Sequence, residues 1–158
     1  MGGMRTLLLL VAVGSAAVAA GAGSVSAVPA PASAADAGQA RTTLTVRSTR
    51  FGRILFDGRG FALYGFTRDP RGRSVCFDDC AAAWPPYILR GRLSAGAGTR
   101  RSLLGTTRRP DGTRQVTYAG RPLYFYVGDR NAGDVFCQNV REFGGLWLVV
   151  RPSGQLVR

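Results

Sequence analysis

The side chains with reactive potential in this chain are three cysteines, nine carboxylates and a set of aromatics. Histidine is absent, and all 21 basic residues are arginine. Those absences exclude His-metal sites, histidine general bases and Ser-His-Asp triads, as well as lysine Schiff bases and the P-loop lysine. Three cysteines allow three single pairings, each leaving one thiol over. The favoured pair is Cys76–Cys80, a short staple that contributes about 2 kcal/mol. Its rival joins Cys76 or Cys80 to Cys137 and ties the two halves of the chain together. In the favoured pairing Cys137 stays free and invites a covalent dimer. A redox or metal-linked accessory role is the alternative function. Against it, Cys-x-x-x-Cys is not the redox spacing, and Asp78 and Asp79 raise a neighbouring thiol pKa.

Asp129, Asn131 and Asp134 place oxygen ligands in one loop, loosely like a calcium loop. The remaining ligands and the bidentate Glu are missing, and turn-capping accounts for the same residues. No metal or cofactor is therefore expected. No spacing sets two carboxylates face to face for hydrolysis, and a non-enzymatic protein is the expectation. Tyr64, Trp84, Tyr124 and Trp147, with Asp69 and Asp129, are the candidate ligand-facing residues. The functional reading is an exposed platform for sugar rings or other flat ligands. The plainer reading of the four aromatics is a packed core.

These residues recur in order. With Leu63-Tyr64 laid on Leu123-Tyr124, Asp69 and Asp129 each follow their tyrosine by five. Gly72 and Gly133 follow by eight and nine, Cys76 and Cys137 by twelve and thirteen, Trp84 and Trp147 by twenty and twenty-three. The chain reads as two copies of one β unit, about residues 44–89 and 103–154, each needing its twin to cover an apolar face.

Strand patterns dominate both copies. Thr43–Arg47 alternates polar and apolar. Arg53–Phe56 and Ala62–Phe66 flank Asp57-Gly58-Arg59-Gly60 as a hairpin. Thr106–Arg109 and Arg114–Tyr118 flank Pro110-Asp111-Gly112, and Gln115–Tyr118 and Pro122–Tyr126 flank Ala119-Gly120. Leu146–Val150 is the last apolar strand. Asp79–Trp84 is the one helical turn, capped by Asp78 or Asp79 and stopped by Pro85-Pro86. Residues 90–102 read as a mobile connection. The expected fold is all-β and antiparallel: two pseudo-symmetric β-meanders packed as a small sandwich or barrel.

Ahead of this domain, Arg5, the apolar Leu7–Val13 and Ala32-Ser33-Ala34 have the order of a cleaved secretory signal over 1–34, with Ala27 a second cleavage point. Residues 35–42 read as a flexible lead-in to a single domain over 43–158. Cleavage after Ala34 leaves 124 of the 158 residues and takes the net charge from +12 to +11. Export fits a disulfide. The cationic surface suits an anionic cell-wall polymer or an envelope protein as partner. No motif accompanies it for sequence-specific nucleic acid, and membrane contact is expected to be peripheral at most.

The strings Cys76-x-x-x-Cys80-Ala81-x-x-Trp84-Pro85-Pro86 and Gln115-Val116-Thr117-Tyr118-x-Gly120-x-Pro122-Leu123-Tyr124 resemble the "secreted repeat of unknown function" family. So do Gly60–Phe66 with Asp69, and Gly128-Asp129, Gly133-Asp134 and Trp147. The resemblance spans about residues 44–154 and implies an exported actinobacterial protein, often of lipoprotein type. This chain departs in lacking a lipid-attachment Cys after the signal and in carrying Cys137 before Gln138. The family brings no established activity.

Overall fold

The computed structural model describes residues 41–158. The signal segment, its cleavage points and residues 35–40 of the lead-in lie outside the described residues. Nine strands, one short α-helix and a 3-10 turn form three small three-stranded sheets. There is no closed barrel among them.

The first sheet is built on β1 (Arg41–Thr49), which folds back on β2 (Gly52–Asp57) through a tight turn. Gly52 takes φ +84 there, a value that costs an L side chain strain. The other edge of β1 pairs with β4 (Arg92–Ala95), and the pairing is parallel: Arg41 faces Arg92 and Leu44 faces Ala95. This corrects two expectations. The sheet is not wholly antiparallel, and the stretch expected as a bare connection contributes the paired strand Arg92–Ala95. An open β1 edge would leave backbone donors and acceptors unpaired. The connection covers that edge, then enters a 3-10 turn at Arg101–Leu103. Gly96 makes the approach feasible, since a Cβ there would lie 2.7 Å from the Leu44 carbonyl oxygen.

The second sheet joins β3 (Tyr64–Phe66), β9 (Gly145–Val149) and β8 (Val140–Glu142) in the order β3-β9-β8. The expected hairpin around residues 57–60 is thus only half made. The chain returns beside β2 through the Phe56–Ala62 bridge, but β3 then leaves to pair with β9, eighty residues downstream. The third sheet is the expected double hairpin of β5 (Leu104–Arg108), β6 (Arg114–Tyr118) and β7 (Arg121–Pro122). Ala119 and Gly120 both have positive φ, as the two-residue turn between β6 and β7 requires.

The helix α1 spans Asp78–Ala83. Phe77 is its N-cap, and no side chain caps it, so the expected Asp78 or Asp79 cap is not made. Both acids sit inside the first turn instead, where they oppose the positive helix end. Two apolar clusters run through the domain. One gathers Tyr64, Phe66, Trp84, Tyr124 and Trp147 with all three cysteines. The other gathers Leu44, Leu55, Leu63, Val116, Tyr118 and Leu123.

A reciprocal clasp between the two repeats as candidate functional site

The repeats meet at their tyrosines. Tyr64 and Tyr124 exchange both backbone hydrogen bonds, N to O at 2.9 and 3.0 Å, as one antiparallel bridge. Each then sends its phenol into the other copy. The Tyr64 hydroxyl donates to Asp129 Oδ2 at 2.7 Å, and the Tyr124 hydroxyl donates to Asp69 Oδ2 at 2.8 Å. The second oxygen of each carboxylate accepts a backbone N–H from the residue before the repeat cysteine: Val75 to Asp69 at 2.8 Å, Phe136 to Asp129 at 3.0 Å. Each Asp therefore folds its own loop and holds the other copy's tyrosine.

The same exchange runs through the rest of the interface. Gly72 N donates to Gly120 O at 2.7 Å, and its counterpart Gly133 N donates to Gly60 O at 2.8 Å. Leu55 N reaches Val150 O, and Val116 N reaches Tyr87 O, both at 2.8 Å, so each copy's last segment completes the other's sheet. The rings make a four-membered stack. Trp84 and Trp147 lie parallel with centroids 4.0 Å apart. Phe66 of the first copy caps Trp147 of the second at 4.1 Å, and Tyr126 of the second caps Trp84 of the first at 4.8 Å.

This geometry places the sequence candidates in the interior. Tyr64, Trp84, Tyr124 and Trp147 are all 0 % exposed and Asp129 is 7 % exposed. A ligand-facing platform needs an open ring face, and these faces are covered by one another, which corrects that expectation in favour of the core. Asp69 is half-buried. Burial pushes its carboxyl up to about 6, against the opposing pull of the Val75 N–H, the Tyr124 hydroxyl and Arg109. Burial likewise raises Asp129, against its bonds from Tyr64 and Phe136. Both phenols are held far above the ordinary tyrosine range, first by burial and then by the facing carboxylates.

The calcium-like loop is a turn. Asp134 Oδ2 accepts from the N–H groups of Arg130 and Asn131 at 3.1 and 2.8 Å, and Asn131 Nδ2 donates to it at 3.3 Å. Asp129, with both oxygens engaged, faces Tyr64 rather than joining them. Cys76 and Cys80 form the disulfide, with Cα atoms 5.2 Å apart. Cys137 is free and buried, and burial raises its thiol pKa.

One buried group carried no sequence signal. Arg109, 5 % exposed, donates through Nη1 to Gln115 Oε1 at 2.7 Å and Ser74 Oγ at 3.0 Å, and through Nη2 to Cys76 O at 2.9 Å. Its guanidinium lies over the Phe77 ring at 4.7 Å. Ser74 in turn lies 2.7 Å from the Tyr124 hydroxyl, so this network backs the Tyr124–Asp69 pair; in the matching loop of the second copy, Arg50 Nη2 donates to Val135 O at 3.3 Å. Read from sequence, Arg109 is one more arginine beside a turn proline.

The larger cavities lie on the rims of the sheets, and two smaller ones reach the clasp carboxylates Asp69 and Asp129. One of about 580 Å³ is lined by Thr67, Arg121, Arg151, Gln155 and Arg158. Another, of about 660 Å³, includes Arg41, Arg59, Arg90 and Phe125.

No curated protein and no solved structure matches the chain. The family described as a secreted repeat of unknown function matches twice, over residues 45–87 and 105–151. Those two matches are the two copies that clasp one another, and together they cover more than half of the sequence. The chain belongs to that family of secreted repeats of unknown function.

Proposed function

We propose that this chain is an exported, non-enzymatic module of the cell envelope or extracellular space that binds an anionic surface polymer. The observation that carries this reading is how charge is sorted between inside and outside. Seventeen of the twenty described arginines are exposed, against four of the eight described carboxylates. Asp57, Asp69 and Asp129 are turned inward, where backbone N–H groups and phenols engage their oxygens. The surface field is therefore more cationic than the composition alone requires, and such a field draws polyanions strongly at low salt. The secreted character of the family and the Cys76–Cys80 disulfide support an extracellular setting. An acidic envelope protein would answer to the same field.

The test is retention on immobilised poly(glycerol phosphate) and polyuronate columns over a salt gradient. The comparison is an unrelated domain of equal size and charge. Retention to clearly higher salt than that control supports the reading. Co-elution with the control overturns it.

A further inference from the structure

The two cavities on the rim of the first sheet share a wall made of Arg59, Pro85 and Phe125. The larger, about 660 Å³, adds Arg41 and Arg90. The smaller, about 250 Å³, adds Phe61, Tyr126 and Val127, with Asp129, already bonded to Tyr64 and the Phe136 N–H, in its wall. Together they make one groove that presents both cations and flat apolar side chains. We infer that this groove is the subsite for an acidic polysaccharide, with uronate-type carboxylates on Arg59 and Arg90 and the apolar side of a sugar ring against Phe61 and Phe125.

Arg59 is held for such a role. Its backbone N–H and Nε donate to the two oxygens of Asp57 at 2.9 and 2.8 Å. Asp57 is 2 % exposed and also accepts the Phe61 N–H, so the turn carrying Arg59 and Phe61 is fixed from below. The Arg59 side chain is 71 % exposed, and its guanidinium carbon lies 5.1 Å from the Phe61 ring centroid and 5.8 Å from that of Phe125. Its Nε faces the protein, which leaves the two Nη groups on the outer side for a bidentate carboxylate. Phe125 is held in turn, with its N–H on Pro85 O at 2.8 Å and its ring edge-on to Tyr87 at 5.0 Å.

The combination selects the chemical class. A polyphosphate offers charge with no ring to lie against Phe61 or Phe125. A neutral glycan offers rings and no carboxylate for Arg59 and Arg90. An acidic polysaccharide offers both. The arginine-rich cavity around Arg121, Arg151 and Arg158 has no comparable ring faces and lacks that selectivity.

This inference rests on the anionic-polymer reading, and the experiment separates the two. Polygalacturonate, linear polyphosphate and neutral dextran are titrated by calorimetry against wild type, Arg90→Ala, Phe125→Leu and the charge-matched control Arg141→Ala. Phe125→Leu keeps an apolar side chain and removes only the flat ring, and circular dichroism checks that each variant is folded. The expected result is polygalacturonate bound tighter than polyphosphate at equal charge, with dextran silent. Arg90→Ala and Phe125→Leu should weaken polygalacturonate at least fivefold, Arg141→Ala less than twofold. Equal binding of both polyanions, or no difference between the groove variants and Arg141→Ala, overturns the groove and leaves the anionic-polymer reading standing. No binding of any polyanion overturns both.

Discussion

Tyr64→Phe removes one oxygen and nothing else, and it should be among the costliest conservative changes in the domain. The Tyr64 hydroxyl donates to Asp129 Oδ2 at 2.7 Å, with Tyr64 0 % and Asp129 7 % exposed. Little room is left at the hydroxyl for water to replace the lost donor, although the Asp129 carboxylate borders the smaller rim cavity. Hydrogen bonds to charged groups contribute roughly 1.5–3 kcal/mol, and a stranded buried acceptor sits at the upper end, so about 2–3 kcal/mol is expected. For a domain of this size that is a fall in Tm of about 10 °C. Tyr124→Phe is the internal control. Its acceptor Asp69 keeps the Arg109 charge nearby, which Asp129 lacks, and Ser74 keeps its bond from Arg109. That change should cost about 1 kcal/mol. Urea unfolding of Tyr64→Phe, Asp129→Asn and the double variant closes the cycle, and a coupling of at least about 1.5 kcal/mol is expected for a contact pair. If Tyr64→Phe is as stable as wild type, or Tyr124→Phe is the worse of the two, the clasp does not hold the repeats together in the way described.

Acid should stabilise this fold through Asp69. Its carboxyl is raised from 3.8 to about 6, so the folded state binds its proton more tightly than the unfolded one. The contribution is fully present below about pH 4 and is lost as pH rises through 6, about 1–2 kcal/mol after allowing for the water that reaches a half-buried group. Unfolding titrations over pH 4–7 should show Asp69→Asn with a flatter profile than wild type; parallel profiles would contradict the assignment. Its amide can donate to the Tyr124 oxygen while that hydroxyl turns to Ser74, so the variant folds. Alkylation of the native protein should leave Cys137 largely unmodified and give one labelled thiol in denaturant without reductant, three with it; rapid native labelling would mean that the thiol is open. A nick between Thr99 and Arg100 divides the copies where contacts change sides, since Thr99 Oγ1 bonds Gly96 O and Arg100 N bonds the Tyr124-side residue Tyr118. Fragments 41–99 and 100–158 should each lack cooperative unfolding and regain it on mixing. A fragment that folds alone refutes the mutual dependence of the repeats.

Much of this was legible in the sequence, because the internal repeat marks the same residues twice. The ordered Tyr, Asp, Gly, Cys and Trp positions are the ones that make the interface, and the Gly112 and Ala119-Gly120 turns form where expected, Ala119 taking a positive φ that its Cβ disfavours. What spacing could not show is which copy each residue serves. Asp69 lies five residues from Tyr64, which suggests a local pair, yet it holds Tyr124. Sequence offsets report separation along the chain, whereas the exchange is fixed by which apolar face each segment covers. The parallel β1–β4 pair was hidden for a related reason. Residues 92–95 carry no strand pattern of their own and are ordered by the open edge they meet.

The pairing of copies within one chain also separates structure from use. Positions that face the pseudo-symmetric interface are the same type in both repeats: Tyr64 and Tyr124, Asp69 and Asp129, Trp84 and Trp147. Positions on the two rims are not. Laid on the same register, Arg59, Phe61 and Val127 of one rim stand where Ala119, Arg121 and Thr67 stand on the other. The corresponding cavities reflect it in part: both keep a clasp aspartate and an aromatic, Asp129 with Tyr126 and Asp69 with Phe66, but one adds Arg59, Phe61 and Phe125 and the other Arg71 and Arg121. Packing explains why the interface is doubled, since each side must satisfy the same donors and fill the same space. It places no such demand on solvent-facing rims, which were free to differ and did so in chemistry rather than in shape. A symmetric scaffold with two unlike rims is suited to engaging a polymer by one face in one orientation. On that ground the proposed polymer subsite is assigned to the groove and not to the buried tyrosine–aspartate pairs.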